Sequence, residues 1–288
     1  AVSLNRVVVI AQKREQQIMD VPTSISAYSG EFIQKYGLYR MEDLGRYVAG
    51  VQIQVQSVNT PSMAIRGITQ DETSSNTPPR VSVYQDGVDI SRATGSTVAL
   101  FDLDRVEVLK GPQGTLFGRG AESGALSLVS HKAEDKTSGG FTSEFGNYGS
   151  RMLTGFFNTP ISSNVDVRLA AYDARHDGYI RNTEGGSLNG EDTKALRLSL
   201  HFKLGEHSSY DVLANYQRDS PPGTAFRSKL PNVNGSTNLW GAASLSRIGY
   251  DGNHLGIRRK IYSLTGLGSF RLNDDWTLST ITGLRRFN

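Results

Sequence analysis

Two rhythms divide the chain near residue 137. Upstream, short apolar runs alternate with helical spacings and tight turns. Thr23–Tyr28 reads as a strand, and Gly30–Gly37 as a short helix with Phe32, Ile33 and Tyr36 towards one side. Met41–Val48 reads as a second helix, with Leu44 and Val48 one turn apart. Val51–Val55 alternates Val, Gln, Ile, Gln, Val, the pattern of a half-buried strand. Further strands are predicted at Met63–Arg66, Val81–Tyr84, Arg105–Leu109 and Ala125–Val129. Asp86-Gly87 between two β runs signals a hairpin, and Gly111-Pro112-Gln113-Gly114 a turn.

Downstream, longer segments alternate with a period of two. Leu196, Leu198, Leu200, Phe202 and Leu204 share one face of Thr193–Leu204, opposite Ala195, Arg197, Ser199, His201 and Lys203. The same alternation recurs at Val165–Ala171, at Tyr210–Tyr216, and at Tyr262–Leu272, with Asp274-Asp275 turning into Trp276–Leu284. Asn147-Tyr148-Gly149 and Gly205–Ser208 read as short connections; Gly178–Asp192 and Ser220–Leu255 as long polar ones. About seven strands of roughly ten residues, with short turns on one side and long loops on the other, is the layout of a transmembrane barrel. A soluble antiparallel sandwich is the other reading, but its strands are usually nearer ~5–6 residues. We therefore expect an α+β domain followed by antiparallel transmembrane barrel strands. The predicted division is 1–19, a flexible N-terminal segment; 20–136, the α+β domain; and 137–288, barrel.

Composition narrows the function classes. Hydrophobic residues make up 37% and no window approaches ~18 uninterrupted apolar residues, which excludes a membrane-spanning helix but not strands. Cysteine is absent, so disulfides and thiolate metal sites are excluded. The net charge of +3 is dispersed, which gives nucleic-acid binding no support. Ala1-Val2-Ser3-Leu4-Asn5 lacks the charged and apolar regions of a signal peptide, so we expect any leader to lie outside this sequence.

Enzyme chemistry finds no constellation. His131, His176, His201, His207 and His254 include no His-Glu-x-x-His and no i, i+4 pair. There is no Gly-x-Ser-x-Gly elbow and no phosphate-binding Gly-x-x-x-x-Gly-Lys-Ser/Thr. Asp71-Glu72 and Asp274-Asp275 read as loop and turn residues. No catalytic residue, metal site or cofactor is expected.

The run Asp104-Arg105-Val106-Glu107-Val108-Leu109-Lys110-Gly111-Pro112-Gln113-Gly114-Thr115-Leu116-Phe117-Gly118-Arg119-Gly120 closely resembles the plug of TonB-dependent outer-membrane receptors. Other segments resemble the family in the expected order. Val7-Val8-Val9-Ile10-Ala11, followed by Gln12-Lys13-Arg14-Glu15, looks like a TonB box and its flank. Asp20-Val21-Pro22 looks like the start of the plug, Ile65-Arg66-Gly67 like its Ile-Arg-Gly motif, and Tyr84-Gln85-Asp86-Gly87-Val88 like its Asp-Gly hairpin. Two departures, Ala49-Gly50-Val51 where the family often has Pro-Gly-Val and Gly120-Ala121-Glu122-Ser123-Gly124 after the glycine-rich run, bear on subfamily and ligand rather than fold.

The resemblance implies an active transporter: a plug closes the barrel lumen, an extracellular ligand binds, and TonB pairs with the box and pulls. It also implies outer-membrane lipid around the barrel and a Gram-negative host. Val7–Ala11, apolar and β-branched, suits strand addition to a partner's sheet edge, or an ordinary first strand of the domain. Arg66, Glu107 and Arg119 are candidates for polar contacts between plug and barrel wall, or are solvated surface charges. Ligand contacts are expected in the plug loops, with Asn59, Thr60, Gln70, Asp71 and Arg92, and in barrel loops, where Phe226 and Trp240 suit ligand stacking or interface anchoring equally. A ferric siderophore is the first expectation for the cargo, with cobalamin, haem and oligosaccharides open. A relative that also signals carries an extra N-terminal domain; we expect none ahead of Val7. Plugged transporters use about 22 strands, so we expect this chain to be a fragment of a longer receptor.

Overall fold

The computed structural model describes residues 8–9, 16–55, 57, 61–69, 79–118, 120–182, 186–225 and 256–288. Strand β1 (Val8–Val9) pairs antiparallel with β2 (Gln16–Gln17). After a 3-10 turn at Ile18–Asp20, β3 (Ser24–Ser29) runs into α1 (Gly30–Lys35), whose first turn is capped by the Ser29 hydroxyl accepting from the Phe32 N–H at 3.2 Å. Gly30 is required at that junction, since a Cβ there would collide with the Leu103 carbonyl. Helix α2 (Met41–Tyr47) has Glu42 and Asp43 in its first turn and Arg46 in its last, matching the helix dipole.

Three short strands follow, β4 (Val51–Val55), β5 (Pro61–Ile65) and β6 (Ile68–Thr69), joined in one antiparallel sheet. A second sheet takes β7 (Val81–Gln85), β8 (Val88–Asp89), β9 (Leu103–Lys110) and β10 (Gly124–Ser130) together with β3, in the order β3-β9-β10-β7-β8. Only the β10–β7 pairing in it is parallel. Asp86 and Gly87, with φ of 51° and 78°, make the two-residue β7–β8 turn with both central residues left-handed, as such hairpins demand. Short helices α3 (Ala93–Ser96) and α4 (Gly114–Phe117) lie outside the sheet, the second replacing part of the turn expected at Gly111–Gly114. Every residue of β7 is buried, because both faces of this sheet are covered.

Seven antiparallel strands complete the chain: β11 (Ser138–Gly146), β12 (Ser150–Ser162), β13 (Val165–His176), β16 (Glu191–Lys203), β17 (Ser208–Asp219), β18 (Arg259–Arg271) and β19 (Thr277–Phe287), in sequential order. A minor hairpin, β14 (Ile180–Arg181) with β15 (Ser187–Leu188), decorates one connection. The up-and-down order puts Gly146, His176 and Asp219, where β11, β13 and β17 finish, at one end, and Ser162, Lys203 and Arg271, where β12, β16 and β18 finish, at the other. Asn147–Gly149 therefore shares an end with the long connections, although its length alone grouped it with the short turns.

The sheet is inside-out by the standard of a soluble protein. On β16, Leu196 and Leu198 are 49% and 39% exposed, while Arg197 between them is 1% exposed. On β13, Leu169 is exposed while Arg168 and Asp166 are buried. Leaving leucines outside while burying a guanidinium is unfavourable in water on both counts. With lipid on the outer face and the plug on the inner, both placements become favourable. The inner face packs on the plug, and Ile261 and Phe287 join the plug's apolar core around Met41, Leu44, Val83, Leu100 and Val106.

If the outer face meets lipid, Leu198→Arg should destabilise the folded barrel by about 2–4 kcal/mol. At a solvated surface the same change would fall within about ±0.5 kcal/mol. Denaturant titration of the full receptor in bilayers, read by heat-modifiable gel mobility, separates the two outcomes.

Candidate functional site

Between the end of α3 and the start of β9, residues 97–102 run without regular structure, so their backbone groups have no ladder partners. Side chains from the inner face of the wall supply them. Arg197 Nη1 donates to the carbonyls of Phe101 and Asp102, at 3.0 and 2.9 Å, and its guanidinium lies 4.7 Å from the Phe101 ring centroid. Arg259 donates to the carbonyls of Thr94 and Thr97, at 2.8 and 2.7 Å, and Arg285 to that of Gly95 at 2.6 Å. Gln217 Oε1 accepts from the Ala99 N–H at 3.0 Å. The plug's apical segment is thus held by cations on three wall strands.

Charge is balanced locally. Arg259 pairs with Asp219 at 2.7 Å, both about 1% exposed in their side chains. Arg168 grips Asp102 through two nitrogens, its Nε reaching Oδ2 at 2.9 Å, and stacks on Phe156. Asp102 adopts a left-handed φ of 48°, and the same residue gives its carbonyl to Arg197 and to the His131 N–H. One plug residue therefore joins two wall strands to the plug's own β10 end.

The exit from the plug is also fastened. Asn158 on β12 accepts from the Glu134 N–H at 3.0 Å and donates to the carbonyls of Glu134 and Lys136, at 2.8 and 2.7 Å. Lys132 pairs with Asp211 at 2.7 Å, and Asp211 also meets His201 Nδ1 at 2.6 Å. The gap left between segment 98–101 and the wall has a volume of about 20 Å³, room for a water molecule.

Asp86, fully inside the plug, accepts from the Ser130 N–H and hydroxyl at 2.8 and 2.9 Å. Burial pushes its carboxyl above the usual range; the charges of Arg197 and Lys132 and the two Ser130 bonds oppose that shift.

The sequence-predicted residues fall in separate places. Val8 and Val9 pair with Gln17 and Gln16, and the Val9 side chain is fully buried with Val21, Tyr84, Leu109, Ala121 and Ala125. Val7, Ile10 and Ala11 lie outside the described residues, as do Asn59, Thr60, Gln70, Asp71, Arg119, Phe226 and Trp240. Arg66 is exposed on the β5–β6 turn with a φ of 54°. Glu107 is fully buried on β9 and pairs with Arg105, a plug neighbour, at 2.7 Å. Arg92 is exposed at the start of α3, beside the segment that Arg259 and Arg285 hold.

The wall arginines were not singled out from the sequence. A signal was available: Arg168 sits between Val167 and Leu169, and Arg197 between Leu196 and Leu198. A lone cation flanked by aliphatics in a period-two strand must face a polar partner on the side opposite lipid.

A sheet with a lipid-type outer face, its polar inner face sealed onto an α+β stopper, is the wall and plug of a plugged outer-membrane receptor. Comparison with known proteins agrees. Residues 17–125 match the family described as "TonB-dependent Receptor Plug Domain". The chain is similar to the pesticin receptor of Yersinia pestis, 29% identical over 117 residues, covering 40% of this chain and 17% of that protein. It is similar to the ferripyoverdine receptor of Pseudomonas aeruginosa, 23% identical over 219 residues, covering 74% and 25%. The crystal structure of the ferric yersiniabactin uptake receptor from Yersinia pestis superposes with a TM-score of 0.78 at 22% identity, covering 92% of this chain and 41% of that one. Residues 17–125 are a TonB-dependent receptor plug domain, and the strands that follow have the fold of the barrel wall in these outer-membrane receptors. The family comprises transporters, not enzymes. The chain spans less than half the length of each of these proteins.

Two outcomes follow. Arg168→Ala leaves Asp102 buried without its ion-pair partner and should cost about 3–5 kcal/mol in denaturant titration of the full receptor. Combining it with Asp102→Asn should recover part of that loss. For Asp86, a folded-state pKa above the unfolded value means the folded plug holds the extra proton. Its contribution is fully present below the unfolded pKa of about 3.9 and is lost as pH rises through the folded value. Asp86→Asn can still accept from the Ser130 N–H and donate to its hydroxyl, so the difference in stability between the variant and the parent should grow in the variant's favour across that window.

Proposed function

We propose that the complete receptor takes up a scarce extracellular ligand across the outer membrane, driven by TonB, and that the cargo is a ferric siderophore. The observation that carries this reading is the apolar-out, polar-in wall sealed on a plug, ahead of which an N-terminal strand is held by a two-residue pairing. So short a pairing can be exchanged for the edge of a partner's sheet at little cost in backbone hydrogen bonds. Val7, Val8, Val9, Ile10 and Ala11 are the proposed TonB contact, and residues 1–19, 20–136 and 137–288 the proposed N-terminal segment, plug and barrel portion. The names of the ferripyoverdine and ferric yersiniabactin receptors support an iron chelate as cargo.

In this reading the ligand rests on the apical plug and barrel loops, with Asn59, Thr60, Gln70, Asp71 and Arg92 offering polar contacts and Phe226 and Trp240 aromatic ones. Arg66, Glu107 and Arg119 are proposed to make polar contacts between plug and wall. TonB draws on the N-terminal segment, the plug rearranges, and the ligand passes.

Deletion of the encoding gene in its native host, followed by growth on a panel of iron sources, tests the assignment. Loss of growth on one ferric chelate is expected, with the same loss when only residues 7–11 are removed but ligand binding retained. Unchanged uptake of every chelate would overturn the siderophore reading, and a loss confined to cobalamin or haem would reassign the cargo.

A further inference from the structure

The outer face of the wall sorts into rows, because register places paired residues side by side. Lys194, Arg218 and Lys260 stand directly opposite one another across β16, β17 and β18. All three are exposed and alternate with the plug-facing positions Thr193, Gln217 and Arg259. Two residues nearer the sheet's middle, the same register lines up Leu196, Tyr216 and Tyr262, the tyrosine rings 5.1 Å apart between centroids. The next row is Leu198, Ala214 and Leu264. Two residues advance about 7 Å along a strand. The cations therefore lie just past an aromatic row of the kind that sits at headgroup level. They occupy the end at which β13 and β17 finish, from which the sequence runs far before β16 and β18 begin, and long connections mark the extracellular side of such barrels.

Like charges directly opposite in a sheet destabilise it. Lys194 has some relief, since Asp173 lies 3.9 Å away, although that carboxylate is shared with Arg151. For Arg218 and Lys260 no carboxylate comes within 4.0 Å among the described residues, and Arg286 stands diagonal to Lys260 on the same face. An anion laid across the row would remove the repulsion.

We propose that Lys194, Arg218 and Lys260, flanked by Arg286, form a docking site for the phosphate groups of an outer-leaflet lipid headgroup. The strands are about 4.8 Å apart, so one phosphate can bridge neighbouring cations, Arg218 offering its guanidinium fork. The acyl chains then lie down over Tyr216, Tyr262 and the leucine rows below. Charge complementarity selects a phosphorylated lipid, and the adjoining aromatic and aliphatic rows select a lipid over a free anion.

The test uses the full receptor with lipid A as probe, retention being read by native mass spectrometry. Each cation beside an anionic lipid surface contributes roughly a fivefold gain in binding. Bis-phosphorylated lipid A should bind the parent about a hundredfold better than the Lys194→Gln, Arg218→Gln, Lys260→Gln variant. Dephosphorylated lipid A should bind the parent as weakly as that variant binds the phosphorylated form. Equal retention by parent and variant would overturn the proposal. So would displacement of the lipid by inorganic phosphate at equal concentration, which would indicate a free-anion site. Should the triple variant fail to assemble, Arg218→Gln alone should lose about fivefold, and no loss would overturn the proposal. The inference rests on the outer-membrane reading. A receptor missing from outer-membrane fractions fails that reading, whereas an inserted receptor with unchanged lipid retention fails only this one.

Discussion

A guanidinium on a strand whose other face meets lipid has one direction in which to be satisfied. Arg197 and Arg259 are about 1% exposed, and each is completed by backbone carbonyls of the plug. The dependence is mutual, since the carbonyls of Thr94, Gly95, Thr97 and Phe101 accept from these wall arginines and from Arg285. Desolvating a cation is expensive, and the cost is recovered only when geometry and hydrogen bonding are both good. Here Asp219, Asn215 and the carbonyls provide them. Wall and plug thereby complete each other's polar groups, and the shape of the plug's apical segment follows from where the wall arginines stand.

The fastening is uneven along the plug. The stretch from Thr94 to Lys136 is held to β12, β13, β16, β17, β18 and β19 by arginines, an asparagine, a glutamine and a lysine. The start of the plug is held differently, by a two-residue pairing and by Val9 set among small and apolar neighbours. Strong polar contacts at one end and a short apolar latch at the other give the domain a graded resistance to opening.

Much of this was legible in the residues. Period-two alternation located β13, β16, β17 and β18, and the Asp274-Asp275 turn pointed to β19, because every side chain on the outer face answers to the same lipid and the pattern is local; β11 and β12 entered only through the count of about seven. Asp86-Gly87 announced its turn because few dipeptides adopt two left-handed conformations. The seal was harder to read. Arg197 finds Phe101 and Asp102 about a hundred residues away, and Arg259 finds Thr94 and Thr97 at still greater separation. Their partners are backbone carbonyls, which every residue carries, so no motif records them. Glu107, prominent in the sequence, is buried on an inner strand of the plug sheet and pairs with Arg105 on the same strand. The placing of Asn147–Gly149 with the long connections required the strand order, not the length of the loop.

The rhythm of the sequence changes near residue 137, but the energetics do not divide there. Ile261 and Phe287, from the last two strands, belong to the same apolar cluster as Met41, Leu44 and Val106. Removing the wall would uncover that cluster and strand the carbonyls of the apical segment at once. Plug and wall therefore share one set of buried contacts, although the two halves are written in different patterns.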